Sequence, residues 1–547
     1  MKKRTLLIFM GGLIAQLSLL NPVASANNLA IQDGLIASYD ETADTATIEF
    51  WIQWQNSWRD TTNHDAAWVF VKYNTGSGWK HATLAASGTN PTGFSAGTQV
   101  STTSVESLEL VVPTDRKGCF VRRDTNSSGA SNNTGVQIVW DYGFDNLTDA
   151  DIADVGLKIF GIEMVYIPTG AFYVGDGNGS SDESIYALHV TNDTPVQIST
   201  VKQNNVTCDS NGNDDIDTTP IAIDGDDGID TDGDNDIDNA LFPTGYNAFY
   251  MMKYELTQGQ YVEFLHTLDR DSQDTRTATD VSGDTVTNVY VMSNTSAIEY
   301  RNDITCPSDG LGTTDPIIFT ANRPDWAMNH MSWMDGCAFA DWAALRPHTE
   351  LEFEKAARGP LYPVLNEYAW GSTALTAAGA GEISTSPETG VETITTSGAN
   401  INSGNVTFTS GDSGAGPLRV GIFAEGLSTS RETTGASYYG VMELSGNAED
   451  VTISIGLPGG REFAGTHGDG DLETASGYEG NATNVDWPGW VSGTGISSND
   501  GASYKGGCHV LTPGGTDYFK ISGRALVSSV VTTRVDWWGF RAVRTAP

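Results

Sequence analysis

Five cysteines, eight histidines and a large excess of carboxylates are the groups in this sequence that could do chemistry. The cysteines (Cys119, Cys208, Cys306, Cys337 and Cys508) are widely scattered, with no C-x-x-C or zinc-type pairing. Their odd number leaves at least one thiol unpaired, whether the others are buried and free or form one or two bridges. Cys508 is followed directly by His509. A thiolate beside an imidazole is a candidate nucleophile or metal site. Adjacent residues on a strand point to opposite faces, however, so the pair reads first as a packed thiol next to a surface histidine. His467, Asp469 and Asp471 alternate with glycine, which suits a turn or a hard cation better than catalysis. His64 and His81 are isolated and read as structural.

The carboxylates are organised. Residues 209 to 238 contain twelve Asp and no Lys or Arg. Within them Asp209, Asn211, Asn213, Asp215 and Asp217 align with Asp230, Asp232, Asp234, Asp236 and Asp238. Both runs place an oxygen-bearing side chain at every second position and a glycine at the fourth. Ca²⁺ takes six to eight oxygen ligands, and alternate Asp and Asn side chains let one loop wrap several of them around an ion. A solvated acidic linker would be as acidic without needing the alternation. The runs resemble the aspartate-rich calcium loops of thrombospondin type 3 repeats. They are not EF-hands, because the twelfth-position Glu and the flanking helices are missing.

The elements that must position these groups follow a long preface. Lys2, Lys3 and Arg4, an apolar stretch from Leu6 to Leu20 and the small-residue site Ala24-Ser25-Ala26 make residues 1–26 a cleavable secretory signal, which places the protein outside the cytoplasm. Glycines and polar residues interrupt the apolar stretch, and no later stretch is long and apolar enough for a membrane span. With 29 basic and 69 acidic residues the net charge is −40, which repels nucleic acid and anionic membranes. Residues 27–157 alternate apolar and polar positions, as in Ile48, Phe50, Ile52 and Trp54, with further strands expected at 68–73, 108–112 and 136–140. Turn-rich segments between them predict a β-sandwich. In residues 158–547, Thr257 with Gln260, Ser332 with Asp335 and Thr349 with Glu352 each have the spacing of a capping box. They predict three helices, the last stopped by Gly359-Pro360. The fold class expected is mainly β with some α+β character.

Several motifs then arrive in a fixed order: Met164–Gly175, Lys253–Tyr261, Met331–Gly336, Arg346–Gly359, Tyr439–Asn447, Lys505–Gly507 and Trp538–Arg541. In type and order they resemble the formylglycine-generating enzymes, the sulfatase-modifying factor family, over residues 160–547. The resemblance implies a loop-rich variant of the C-type-lectin-like fold, often with bound calcium. One family calcium site is built on a Gly-Asn-x-x-Glu segment, matched here by Gly446 to Asp450, with Asn447 and Asp450 as ligands. A second would fall between Asn400 and Asn405. Glu350, Glu354 and Arg358, at i, i+4 and i+8, would form ion pairs or hold loop backbone.

The resemblance also implies an oxidase in which two cysteines hold Cu(I), the first four residues after a Gly-Gly pair and the second five later. Counted from Gly506-Gly507, those positions are Leu511 and Thr516, and neither ligates Cu(I), which prefers thiolates. Shifting the register onto Cys508-His509 places Pro513 at the partner position. Copper is therefore not expected, and calcium is. The leading expectation is an exported, calcium-stabilised scaffold that recognises glycans or exported or surface proteins. The alternatives are an oxidoreductase modifying exported proteins, with a relocated site, and a surface structural or filament protein.

Overall fold

The computed structural model describes residues 29–100, 107–176, 189–190, 194–201, 239–378, 383, 392–404, 416–424, 430–512, 517–524 and 532–547. The signal segment 1–26, Cys208, the Asp-rich run 209–238, Pro513 and Thr516 lie outside the described residues.

Strands dominate. The alternation of Ile48, Phe50, Ile52 and Trp54 falls on the strand Thr45–Arg59, where all four side chains are buried. That strand lies between Ala30–Asp40 and Ser127–Asp141 in a four-stranded antiparallel sheet. Its inner face packs on Val69 and Val71 of the strand Asp65–Asn74, on Leu110 of Leu108–Val112 and on Val121 of Cys119–Arg123, forming one core between two sheets. This is the expected sandwich. His64 sits at its edge, with Nε2 3.0 Å from the Tyr250 hydroxyl and the ring stacked on Tyr166.

The second sheet does not end with the N-terminal unit. Gly156–Ile167 pairs antiparallel with Asp65–Asn74 from Gly156↔Asn74 to Val165↔Asp65. On its other side Met164–Ile167 pairs with Phe249–Met252, which continues to Ala542–Thr545 and Arg346–Pro347. The boundary expected near residue 157 thus falls at the start of a strand that both halves use. The largest core mixes them as well, joining Trp68, Phe70 and Phe120 to Trp333, Phe339 and Trp342. Trp68 Nε1 donates to the Ala343 carbonyl at 2.8 Å, and the Arg544 guanidinium lies 4.3 Å above the Trp68 ring.

All three capping boxes form, opening the helices Gln258–Leu265, Trp333–Trp342 and Glu350–Arg358. Among the described residues no helix is long and apolar enough to cross a membrane. The segment from His467 to Asp471 is bound into the structure. Asp341 Oδ1 accepts the Asp469 and Gly470 amides, and His467 Nε2 accepts the Thr545 amide.

The helix Glu350–Arg358 is buried at every position despite five charged side chains. Four of the five, all but Glu352, reach loops distant in sequence. Glu350 receives Arg524 and the Ile455 amide. Glu354 receives Arg358 at 3.0 Å, Lys505 at 3.4 Å and the Gly175 amide at 2.8 Å. Arg358 also holds Glu367 and the carbonyls of Tyr173 and Gly175, and Lys355 donates to the Gly245 and Tyr246 carbonyls. Glu352 pairs with Arg346. The helix ends at Gly359, whose φ of 69° suits glycine.

Removing one partner from such a network strands a buried charge. Glu354→Ala should cost about 3–5 kcal/mol in urea unfolding. Gly493→Ala, at a φ of 81° with nothing within 4 Å of the added Cβ, should cost only about 1 kcal/mol.

Candidate functional site

The segment Gly446–Ile453 builds the centre of the candidate site. Its strand, Glu449–Ile453, pairs antiparallel with Ala502–Lys505 and parallel with Trp538–Gly539. At Gly446 the backbone has a φ of 88°, and a Cβ there would lie 2.3 Å from Ile401 Cγ1. After Lys505, Gly506 and Gly507 turn the chain with φ values of 95° and 66° and deliver Cys508 and His509 beside Asn447. The His509 amide donates to the Asn447 carbonyl at 2.8 Å, and His509 Nδ1 lies 3.1 Å from the same oxygen.

That geometry corrects one expectation and answers another. His509 is fully buried rather than at the surface. Cys508 and His509 do not form a dyad, because Nδ1 is engaged by Asn447 and Nε2 has no hydrogen-bond partner. Burial holds His509 neutral, pulling its pKa down to about 3. Burial also pushes the Cys508 thiol well above its ordinary value, and the Glu449 charge adds to the shift. Glu449 is itself pushed up to about 8 by burial. Thiol and carboxyl are both protonated near neutral pH, the opposite of what a nucleophilic cysteine needs.

Sequence reasoning missed the residues across from His509. The Tyr300 ring centroid lies 6.1 Å from that of His509 and 6.0 Å from that of His330. Burial pulls His330 down to about 4, and its Nε2 has no partner. Tyr300, Arg301 and His330 all have left-handed backbones, with φ of 44°, 62° and 53°, a conformation side chains adopt at a cost. Asn329 ties Tyr300 to Asp536: its Nδ2 donates to the Tyr300 carbonyl at 2.9 Å and to the Asp536 carbonyl at 2.8 Å. Two neutral imidazoles thus flank one tyrosine that is 39% exposed. Neither His330 nor Tyr300 carries a spacing signal; the strain and the Asn329 clamp exist only in three dimensions.

The expected calcium ligands of this segment are engaged with protein. Asn447 Oδ1 accepts from Asn402 Nδ2 at 2.8 Å and from the Leu418 amide at 2.7 Å, while Nδ2 donates to Glu255. Asp450 Oδ2 accepts from Arg541 Nε at 3.0 Å, and its Oδ1 is buried without a partner. Asn400, in the second expected calcium segment, accepts the Thr376 amide and donates to the Ala374 and Glu432 carbonyls. Glu255, Glu443 and Asp450 are all raised, and the Asp450 charge adds to the shift of the other two. Burial is the largest cause, and Glu443 reaches about 7. Among the described residues no three or more His, Cys, Asp or Glu side chains are arranged to hold a metal ion. Both aspartate-rich runs lie outside those residues.

Leu511 leans on a core that includes Phe353 and Phe519, and its carbonyl accepts the Gly404 amide. A hydrocarbon side chain there does not fit a copper ligand.

Residues 221–546, more than half of the chain, match the family model described as the sulfatase-modifying factor enzyme 1-like domain. The formylglycine-generating enzyme of Streptomyces coelicolor is 49% identical over 49 residues, which are 9% of this chain and 15% of that enzyme. The formylglycine-generating enzyme of Thermomonospora curvata is 45% identical over 51 residues, which are 9% of this chain and 16% of that enzyme. The chain therefore spans only about one sixth of the length of these curated relatives.

Cys119, Cys306, Cys337 and Cys508 are all free and buried, and burial raises each thiol. A Cys208→Ser variant should therefore show no fast reaction with a thiol reagent at pH 8 until denaturant is added. A rapidly labelled native thiol, mapped to Cys508 by mass spectrometry, would contradict the protonation assigned to it.

Proposed function

The chain belongs to the sulfatase-modifying factor enzyme 1-like family, and we propose that it uses the family scaffold to recognise a ligand outside the cytoplasm rather than to oxidise a cysteine. One observation carries this reading. The positions where the family resemblance requires two thiolates hold Leu511 and Thr516, and the one cysteine of that segment, Cys508, is buried beside a carboxyl that favours its protonated form. The residues do not fit a copper ion, and no step runs through one.

Export rests on the basic, apolar and small-residue pattern of residues 1–26. Calcium rests on the alternating oxygens of Asp209 to Asp217 and Asp230 to Asp238. A calcium-rich solvent outside cells suits so acidic a chain. The ligand class is a glycan or an exported or surface protein.

Two measurements test the proposal. The protein, supplied with Cu(I) and oxygen, should leave the cysteine of a sulfatase-motif peptide unchanged in mass. Conversion to the aldehyde, abolished by Cys508→Ser, would make the chain an oxidase after all. Calcium at about one hundred times its Kd should add about 2.7 kcal/mol of stability, and EDTA should remove it. A melting temperature indifferent to both excludes the calcium loops.

A further inference from the structure

Away from Cys508, a groove runs along the shared strand Gly156–Ile167, with the helix Gln258–Leu265 as its opposite wall. It consists of two cavities of about 290 and 390 Å³ that share Gly161, Ile162 and Gln260. Their chemistry differs sharply. The first is lined by three carboxylates, Glu163, Glu255 and Asp325. The second, which shares Leu29 with the first as well, is walled mainly by aromatic rings, Phe70, Phe160, Phe339 and Trp342. Its charged groups, Lys158 and Glu263, pair with each other at 3.6 Å.

The acidic end is short of positive charge. Lys253 is paired with Glu163 at 2.7 Å, Arg541 with Asp450 at 3.0 Å and Arg419 with Glu392 at 3.4 Å. The charges of Arg419 and Arg541 act on Asp325 and Glu255 as well, without outweighing burial. Glu255 receives only neutral donors, the Ala448 amide and the Asn447 side chain. Asp325 is the most telling group. It lines the cavity, is 4% exposed, and its Oδ2 has no hydrogen-bond partner. Burial pushes its carboxyl up to about 6. A buried acceptor without a donor is destabilising, a penalty that a cationic ligand would remove.

The missing cation is better organic than metallic. Among the described residues no three carboxylates converge as a metal cage, whereas a guanidinium or an ammonium reaches separated acceptors through several N–H groups. The adjoining aromatic wall favours an apolar group next to that cation.

We propose that this groove binds a polypeptide segment in which an arginine or lysine is followed by a bulky apolar residue, the cation meeting Asp325 and Glu255 and the apolar side chain resting against Phe160 and Trp342. The inference takes from the recognition reading only the idea of a peptide ligand. Its failure would leave the copper and calcium measurements untouched.

Calorimetry on the full chain provides the test, with acetyl-Arg-Phe-amide and its neutral isostere acetyl-citrulline-Phe-amide as probes. The arginine peptide should bind at least about tenfold more tightly than the citrulline peptide, as expected for a charge-assisted hydrogen bond. Asp325→Asn should erase that difference, and acetyl-Arg-Gly-amide should bind more weakly than acetyl-Arg-Phe-amide. The comparison of the two peptides on the unmodified protein stands even if the variant fails to fold. Equal affinity for both peptides, or no binding of either, would overturn the proposal. So would calcium that displaces the arginine peptide and loses its own affinity in Asp325→Asn, since the site would then be a metal site.

Discussion

The structure depends on one buried, charged helix. A chain with 61 glycines and few long regular elements has many backbone amides and carbonyls that no ladder or helix satisfies, and a buried polar group without a partner is costly. The helix Glu350–Arg358 supplies those partners from side chains. Its carboxylates take amides at Gly175 and Ile455, and its cations take carbonyls at Tyr173, Gly175, Gly245 and Tyr246. Several loops far apart in sequence are thus tied to a single rigid rod. Hydrophobic burial alone would not specify them, because it has no direction, whereas each of these bonds fixes both a distance and an angle.

The same logic explains why the interior tolerates so many carboxylates. Those on the rod meet Arg346, Arg358, Lys505 and Arg524, and although burial opposes it, Arg524 holds Glu350 below its ordinary value. Those around Gly446–Asp450 have Arg541 in common, with Arg419 acting on Glu443 besides, and burial raises them toward neutrality instead. The molecule therefore has one interior region where charge is compensated and another where it is not. The groove, the clamped Tyr300 and the Cys508 segment all border the second.

Much of this was legible in the residue order. The alternation from Ile48 to Trp54 marked a strand because one buried face forces a period of two. Thr257, Ser332 and Thr349 marked helix starts because a cap and its return bond are local, four-residue events. The roles of Glu350, Glu354 and Arg358 followed from their spacing together with the family likeness. What escaped was non-local. Alternation shows that a strand has two faces and says nothing about which strand lies beside it, so a sheet running through residue 157 was hidden. His330 and Tyr300 escaped for a related reason: their backbones are left-handed, and the Asn329 bonds that tie Tyr300 to Asp536 join residues far apart in sequence. His509 was misjudged because the Gly506-Gly507 turn folds it inward against Asn447.

The shared sheet also sets an order of events in time. Ala542–Thr545 lies next to one edge of it, between Phe249–Met252 and Arg346–Pro347, so Arg346–Pro347 has no sheet partner until residues 542–545 have been made. An N-terminal sandwich emerging first would expose the free edge of Asp65–Asn74 until Gly156–Ile167 arrives, and that strand in turn waits for its own neighbour. Pairings over such separations are slow to form. That edge of the sheet therefore stays open while every residue between Pro347 and Ala542 is being made.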